Sequence, residues 1–285
     1  FVVSDYTADF ELVAHGFAAD DREATRLSFT AGVDMSMQSG LYAAHLPELV
    51  ARGEVSMAAI DRGVRRVFAV KQAIGLFDDP YRSLDPQVEA ALDPQALHFD
   101  LARDAARRSI ELLKNEGELL PRKKSGQRSA LIGPYARDRD NLEGCWTLFG
   151  DKTLYVNLED GLREALDDGD ALAVVDGSAM EEAIDGGIEA AVEAARNADV
   201  VLLAIGEPQG YSGEAQSRTQ IIVPPAQQAL AEAVAATGTP MVVLLRHGRA
   251  LALQGAVRDA QAIVATWFLG TATGPAIADV LLGDY

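Results

Sequence analysis

The sequence is poor in the residues that build disulfides and metal sites. It has one cysteine, Cys145, and four histidines far apart in the chain: His15, His45, His98 and His247. A single cysteine excludes a disulfide within the chain. Because no cysteines and histidines stand close together in the sequence, a structural zinc site is not expected either.

Long apolar runs and a surplus of basic residues are also missing. No run approaches the ~20 apolar residues that a membrane-spanning helix needs, so no membrane span is expected. The chain has 25 basic and 43 acidic residues, a net charge of −18, which would repel a phosphate backbone and argues against nucleic-acid binding. The hydrophobic content of 48% is typical of a globular chain, and 285 residues fit about two domains.

The first part of the chain, residues 1–118, contains few strand patterns and several helix signals. Strand patterns occur at Phe1–Ser4 and Val33–Met37. Caps and apolar spacing predict three main helices, which run from Asp20 towards Gly32, from Ser56 to Gly75, and from Asp93 through Leu112. Two strands are too few to close a sheet, so this part is not expected to be a complete barrel or sandwich.

The second part, residues 119–285, alternates regularly between apolar strands and amphipathic helices. The predicted strands are Ala130–Gly133, Ala171–Val175, Val200–Ile205, Met241–Leu245 and Ala262–Trp267. The predicted helices are Leu158–Leu166, Met180–Asn197, Pro225–Ala236 and Thr271–Leu282. Strands that are apolar on both faces and separated by helices indicate a mainly parallel sheet covered on both sides, an α/β/α sandwich.

Two carboxylates follow apolar strands in different parts of the chain. Asp5 ends the first strand pattern, and Glu214 lies in the loop after Val200–Ile205. An acid after a strand is usually a turn former or a helix cap, so neither residue alone predicts catalysis. Glycosidases, however, need such a pair, one carboxylate as nucleophile and one as acid/base. Loops beyond the carboxyl ends of parallel strands are also where sites form in such sheets.

Several segments, in order, resemble those of glycoside hydrolase family 3, in its β-glucosidase branch. They are Phe1–Tyr6, Ala31–Met37, Val64–Phe77, Leu112–Pro121, Ser212–Thr219, Gly248–Leu251, Thr266–Phe268 and Gly283–Tyr285. The resemblance covers essentially the whole chain. It implies that residues 1–118 are the last strands and helices of a TIM-type (β/α)8 barrel with linking helices, and that residues 119–285 are the α/β/α sandwich domain.

The resemblance also implies a function and roles for individual residues. Asp5 falls on the family's nucleophile and Glu214 on its acid/base, as in a retaining exo-acting β-glucosidase that needs no cofactor. Tyr6, Met37 and Trp146 are expected to contact the sugar of a small oligosaccharide or β-glucoside. Tyr6 stands where relatives commonly have Trp, so the aromatic surface beside the sugar is expected to be smaller. A periplasmic or secreted location is expected from the family.

Only two of the eight barrel strands are present, so the resemblance also implies a fragment that is inactive alone. The rest of the barrel would belong to another chain or to a part of the same protein outside these 285 residues, and a homodimer is a further possible assembly. Three other readings stay open: a β-xylosidase or exo-glucanase of the same family, a non-catalytic carbohydrate-binding or scaffold fragment, and, least favoured, a nucleotide-binding domain. The last lacks a phosphate loop.

Overall fold

The computed structural model describes residues 1–92, 94–167 and 172–285, and it divides into two compact units, Phe1–Leu92 and Asp93–Tyr285. The first unit contains two strands and five helices among its described residues. They are β1 (Val3–Tyr6), α1 (Ala8–Ala14), α2 (Asp21–Ala31), β2 (Met35–Met37), α3 (Leu41–Ala51), α4 (Met57–Ala73) and α5 (Pro86–Ala91).

Side-chain caps fix the helix starts of the first unit where the sequence predicted them. The Asp20 carboxylate accepts a hydrogen bond from the backbone amide of Glu23, and the Ser56 hydroxyl accepts one from Ala59. Each bond satisfies one of the amides that a first helical turn leaves without a partner. A small core of Phe29, Leu49 and Val55 packs these helices together.

The two strands of the first unit pair with each other in parallel, Val3 opposite Met35 and Tyr6 opposite Met37. Their composition predicts burial, and that prediction is wrong for this unit. Val3 is 40% exposed, Met35 45% and Tyr6 61%. The reason is that, among the described residues of the unit, neither strand has a second strand beside it. That these elements are the end of a barrel stays a prediction.

The second unit contains six strands and six α-helices among its described residues. The strands are β3 (Glu111–Asn115), β4 (Ser129–Ile132), β5 (Leu172–Val175), β6 (Val200–Gly206), β7 (Met241–Arg246) and β8 (Ala262–Ala265). The helices are α6 (Pro94–Ser109), α7 (Leu158–Ala165), α8 (Gly187–Arg196), α9 (Pro225–Ala235), α10 (Gly255–Asp259) and α11 (Thr273–Leu282). The strands form one sheet in the order β3-β8-β7-β6-β4-β5, and only β3 is antiparallel to its neighbour.

Apolar side chains alternate between the two faces of this sheet and bury both. Leu202 and Leu244 belong to one core with residues of α7 and α11, whereas Leu203 and Leu245 belong to another with residues of α8 and α9. A strand that is buried on both faces needs apolar residues at every position, which is the pattern that predicted it. The predicted mainly parallel α/β/α sandwich is therefore confirmed.

Two details differ from the prediction. Leu112 lies in β3, not in the preceding helix, because α6 ends at Ser109 and the chain then pairs with β8 at the sheet edge. The helix predicted from Met180 begins only at Gly187, after Gly186 takes up a left-handed conformation. The predicted cap Asp93 and the predicted strand start Ala171 lie outside the described residues.

The division of the chain follows its contacts. The first unit ends at Leu92, so α6 and β3 belong to the second unit, whereas the predicted domain boundary at residues 118 and 119 comes after both elements. Within the part of the chain that the structure describes, no helix is both long enough and apolar enough to cross a bilayer.

Candidate active site

Five loops of the second unit leave the sheet at the same ends of its strands. Strands β4, β5, β6, β7 and β8 are parallel, so their carboxyl ends lie together. The loop after β6 contains Glu214, and the loop after β4 contains Trp146. The sequence predicted this position for Glu214, whereas for Trp146 the resemblance implied only a contact with the sugar.

The chain leaves β6 through a conformation that only glycine tolerates. Gly206 has a φ of 143°, and a Cβ atom there would lie 1.8 Å from the carbonyl oxygen of Arg246. The next residue, Glu207, is completely buried. A short 3-10 turn at Gln209–Tyr211 then brings the chain back to the surface, where Glu214 is exposed.

Glu214 and Trp146 line the same cavity, of about 330 Å³, together with Cys145 and Gln209. Trp146 is 71% exposed, so most of its surface is open to solvent. Aromatic faces of this kind suit the C–H surfaces of a sugar. A carboxylate and an open indole at the rim of one cavity are a suitable pair for protonating and stacking a carbohydrate.

The two loops around the cavity approach each other at Gly213. A Cβ atom on Gly213 would lie 2.8 Å from the Cys145 Sγ atom. Gly213 and Ala215, the neighbours of Glu214, both have positive φ, 113° and 59°. The chain is therefore sharply turned at Glu214, and Ala215 pays a steric penalty that glycine would avoid.

Buried charges connect the same two loops beneath the cavity. Arg246, at the end of β7, donates a 3.0 Å hydrogen bond to Asp138, and both side chains are almost fully buried. Asp138 in turn accepts from the side-chain amide of Asn141, whose oxygen accepts from the backbone amide of Gln209. Burial lowers the pKa of the Arg246 guanidinium, and the adjacent Asp138 acts in the opposite direction.

In the first unit, β1 and β2 bring Asp5, Tyr6 and Met37 together at their carboxyl ends. Asp5 is exposed, and its carboxylate accepts a 2.7 Å hydrogen bond from the backbone amide of Tyr6. The amide of Met37 donates to the Ser4 hydroxyl at 2.8 Å, which fixes the strand ends side by side. Tyr6 is 61% exposed and Met37 38%.

The predicted site residues thus form two groups, one in each compact unit. Asp5, Tyr6 and Met37 lie in the first, Glu214 and Trp146 in the second. Across residues 1–92, 94–167 and 172–285, no three His, Cys, Asp or Glu side chains converge in the manner of a metal site.

Comparison with known proteins shows the family of the chain that contains both groups. The profile of the glycosyl hydrolase family 3 C-terminal domain matches residues 110–285. The chain is 42% identical to a periplasmic beta-glucosidase of Salmonella typhimurium, over 99% of this chain and 40% of that protein. It is 32% identical to a beta-xylosidase of Formosa agariphila, over 100% of this chain and 41% of that protein. The chain belongs to glycoside hydrolase family 3.

A solved family 3 structure has the same fold. The beta-glucosidase of Listeria innocua, crystallised in complex with isofagomine, superposes with a TM-score of 0.90 at 35% identity, over 99% of this chain and 39% of that one. The chain therefore spans about two-fifths of the length of the relatives it matches.

Glu207 and Asp9 are among the buried acids of this family 3 chain that were not singled out from the sequence. Glu207 follows directly on a strand that is apolar throughout, and this position was the available signal. Asp9, on α1, is 3% exposed and accepts 2.7 Å hydrogen bonds from the hydroxyls of Ser36 and Ser39. It holds the segment after β2, and nothing in its local pattern indicated that role.

His247 is predicted to make the second unit acid-sensitive. It is 3% exposed and packs with its ring 4.3 Å from that of Trp267. Burial lowers the pKa of His247 below the ordinary 6.5, while a hydrogen bond with the Arg249 backbone opposes the shift. Below pH 6.5 the unfolded chain therefore binds a proton more readily than the folded chain. As the pH is lowered, the free energy of unfolding falls by at most about 1.4 kcal/mol per pH unit.

Urea unfolding between pH 7.5 and about 5.5 measures this effect. We expect His247→Gln to flatten the pH dependence, and His98→Gln, at an exposed residue of α6, is the matched control. Equal slopes in the wild type and His247→Gln would contradict the assignment.

Proposed function

We propose that this chain supplies the nucleophile, the acid/base and part of the sugar site of a retaining, exo-acting β-glucosidase. The observation that carries the proposal is the placement of Glu214 at a cavity on the carboxyl edge of the sheet, in a chain 42% identical to a β-glucosidase over 99% of its length. Asp5, on the corresponding end of β1, supplies the second carboxylate.

The proposed reaction proceeds by double displacement. Asp5 attacks the anomeric carbon, the bond to the leaving oxygen breaks, and Glu214 gives that oxygen its proton. Glu214 then takes a proton from water, the water oxygen attacks the same carbon, and the Asp5 carboxylate leaves. This sequence requires the two carboxyl groups to lie about 5 to 5.5 Å apart across the sugar.

Three further residues are proposed to hold the sugar. Tyr6 and Met37 flank Asp5 at the ends of adjacent strands, and Trp146 shares the cavity of Glu214. All three have large exposed apolar surfaces, which suit the hydrophobic face of a pyranose.

We propose that activity needs the rest of the barrel. The supporting observations are the two-stranded sheet of the first unit, with exposed apolar side chains, and the two-fifths share of the relatives' length. The missing part would come from the same protein or a second chain. A homodimer stays a prediction.

A chimaera tests the proposal. The N-terminal portion of the Salmonella relative is joined ahead of Phe1, and the product is here termed the completed enzyme. We expect it to hydrolyse nitrophenyl β-glucoside, whereas the 285-residue chain alone does not. A 2-fluoro glucosyl fluoride should release fluoride and leave one glycosyl group on Asp5, which peptide mass spectrometry locates. A folded completed enzyme that is labelled at another residue would contradict the proposal.

A β-xylosidase is the second candidate, because a 32% identical relative carries that name. The two sugars differ by the hydroxymethyl group of glucose. Comparing kcat/KM for nitrophenyl β-glucoside and β-xyloside in the completed enzyme separates the candidates, and we expect the glucoside to be preferred. Preference for the xyloside would reverse the assignment. If neither is cleaved and no label forms, a non-catalytic fragment is favoured instead.

A periplasmic or secreted location is proposed from the Salmonella relative, which is named as periplasmic. Cell fractionation of the source organism tests it. Recovery in the cytoplasmic fraction would contradict it.

A further inference from the structure

The loop that bears Glu214 is attached to the protein through a buried carboxylate that the reaction itself does not use. Glu207 has a side chain with no solvent exposure, and it lies seven positions before Glu214 on the same loop. A fully buried acid is costly unless opposite charges compensate it. Two arginines supply that compensation.

Each carboxylate oxygen of Glu207 faces a different arginine. Oε1 lies 3.5 Å from Nε of Arg218, and Oε2 lies 3.4 Å from Nε of Arg249. Arg218 stands at the far end of the loop, after Glu214, whereas Arg249 comes from the loop after β7. One carboxylate thus joins three segments of backbone.

The two arginines hold the loop on both sides of Glu214. The Arg249 guanidinium donates to the carbonyl of Tyr211 and, at 3.2 Å, to that of Gln216. Arg218 lies over the Tyr211 ring, 3.6 Å from its centroid. Tyr211 precedes Glu214 in the loop and Gln216 follows it. The two arginines therefore fix the loop on both sides of the acid.

We propose that Glu207 is the positioning residue of the acid/base: it holds Arg218 and Arg249 together, and through them fixes the direction of Glu214. The inference rests on the proposed role of Glu214. Without the Glu207 charge, two guanidiniums would face each other at the base of the loop. Their repulsion would free the Tyr211 and Gln216 carbonyls.

Two opposing influences act on the charge state of Glu207. Burial raises the pKa of its carboxyl, and the two arginines oppose that shift. Burial is the larger influence on this pKa, whereas each arginine favours the charged carboxylate, because its Nε atom lies within 3.5 Å of a Glu207 oxygen. When the Glu207 carboxyl is ionised, the trio carries a single net positive charge.

Amide hydrogen exchange on the 285-residue chain tests the loop directly. Glu207→Gln keeps the shape of the side chain and removes its charge. We expect the amides of residues 211–217 to exchange about tenfold faster, with the amides of β6 and β7 unchanged. Arg249→Lys keeps a cation beside Glu207 but loses the forked donor to two carbonyls, and it should have the same effect.

Arg103→Lys is the matched control. Arg103 makes a two-pronged ion pair with Asp279, whose side chain is 3% exposed, but it lies on α6 and touches no part of the Glu214 loop. This variant should leave exchange in residues 211–217 at the wild-type rate. If Glu207→Gln does not fold, Arg249→Lys decides. Wild-type exchange in the loop of the folded variant would overturn the proposal.

Leaving-group dependence in the completed enzyme separates positioning from general damage. Acid assistance matters for phenyl β-glucoside and little for a dinitrophenyl glucoside, whose leaving group departs without a proton. We expect Glu207→Gln to lower kcat about 10- to 100-fold more for the phenyl substrate. Equal losses on both substrates would show a structural role only and overturn the inference.

The failure of this inference can be told from failure of the proposed function. If Glu214 is not the acid/base, its own replacement will show no leaving-group dependence, whatever Glu207 does. If Glu214 is the acid/base, its replacement shows the largest difference in kcat loss between the two substrates. Glu207→Gln should then show a smaller difference of the same kind.

Discussion

Asp5→Asn is expected to lower the kcat of the completed enzyme by about 10⁴-fold or more, the largest effect of any substitution in the chain. An amide cannot form the glycosyl-enzyme bond, and no other carboxylate at the ends of β1 and β2 is exposed beside it. The folded state should be unaffected, because Asp5 is exposed and its one described side-chain hydrogen bond, from the Tyr6 amide, can be accepted by an asparagine oxygen.

Steady-state hydrolysis of nitrophenyl β-glucoside measures the loss, and circular dichroism checks the fold. Glu11→Gln is the matched control, since Glu11 is an exposed acid on α1 of the same unit. We expect this control to keep wild-type kcat. A completed enzyme that retains more than about one-tenth of its activity after Asp5→Asn would remove Asp5 from the mechanism.

The sandwich was predictable because burial on both faces leaves a local pattern. Five consecutive strands, from β4 to β8, were found within about two residues of their ends, since apolar residues at every position cannot be solvated strands. The edge strand β3 was missed because its residues do not show this pattern. Leu112 continues the spacing of the helix before it, and only its pairing with Val264, far along the chain, makes it a strand.

The strands of the first unit show a different limit. Their apolar composition was read correctly as strand, but burial depends on neighbours, and β1 and β2 pair only with each other among the described residues. The apolar composition therefore predicted that both segments form strands. It could not predict how many neighbouring strands this chain supplies to bury them.

The site divides in the same way. Glu214 was predicted from its position after an apolar strand and from a family motif, and Trp146 from the family motif alone. The support beneath them was not found. Glu207 and Arg249 are 42 positions apart in sequence, and their contact follows only from the adjacency of β6 and β7.

Glu214→Ala is the substitution with the second-largest expected effect. The difference between substrates is more informative than the size of the loss in kcat. Loss of the acid should lower kcat on phenyl β-glucoside by about 10²- to 10⁴-fold. On a dinitrophenyl glucoside the first step should survive, because the leaving group needs no proton. The glycosyl group should then accumulate on Asp5, since water lacks the base that would activate it.

Azide distinguishes this mechanism from a general loss of structure. Azide is already an anion, so it can attack the anomeric carbon without a base and release the Asp5 carboxylate, giving β-glucosyl azide. We expect azide to raise kcat of Glu214→Ala on the dinitrophenyl substrate and to do nothing for the wild type. Glu181→Ala, at an exposed acid of the same unit, should behave as wild type throughout. Absence of rescue in a folded Glu214→Ala variant, with equal losses on both substrates, would assign the acid/base to another residue.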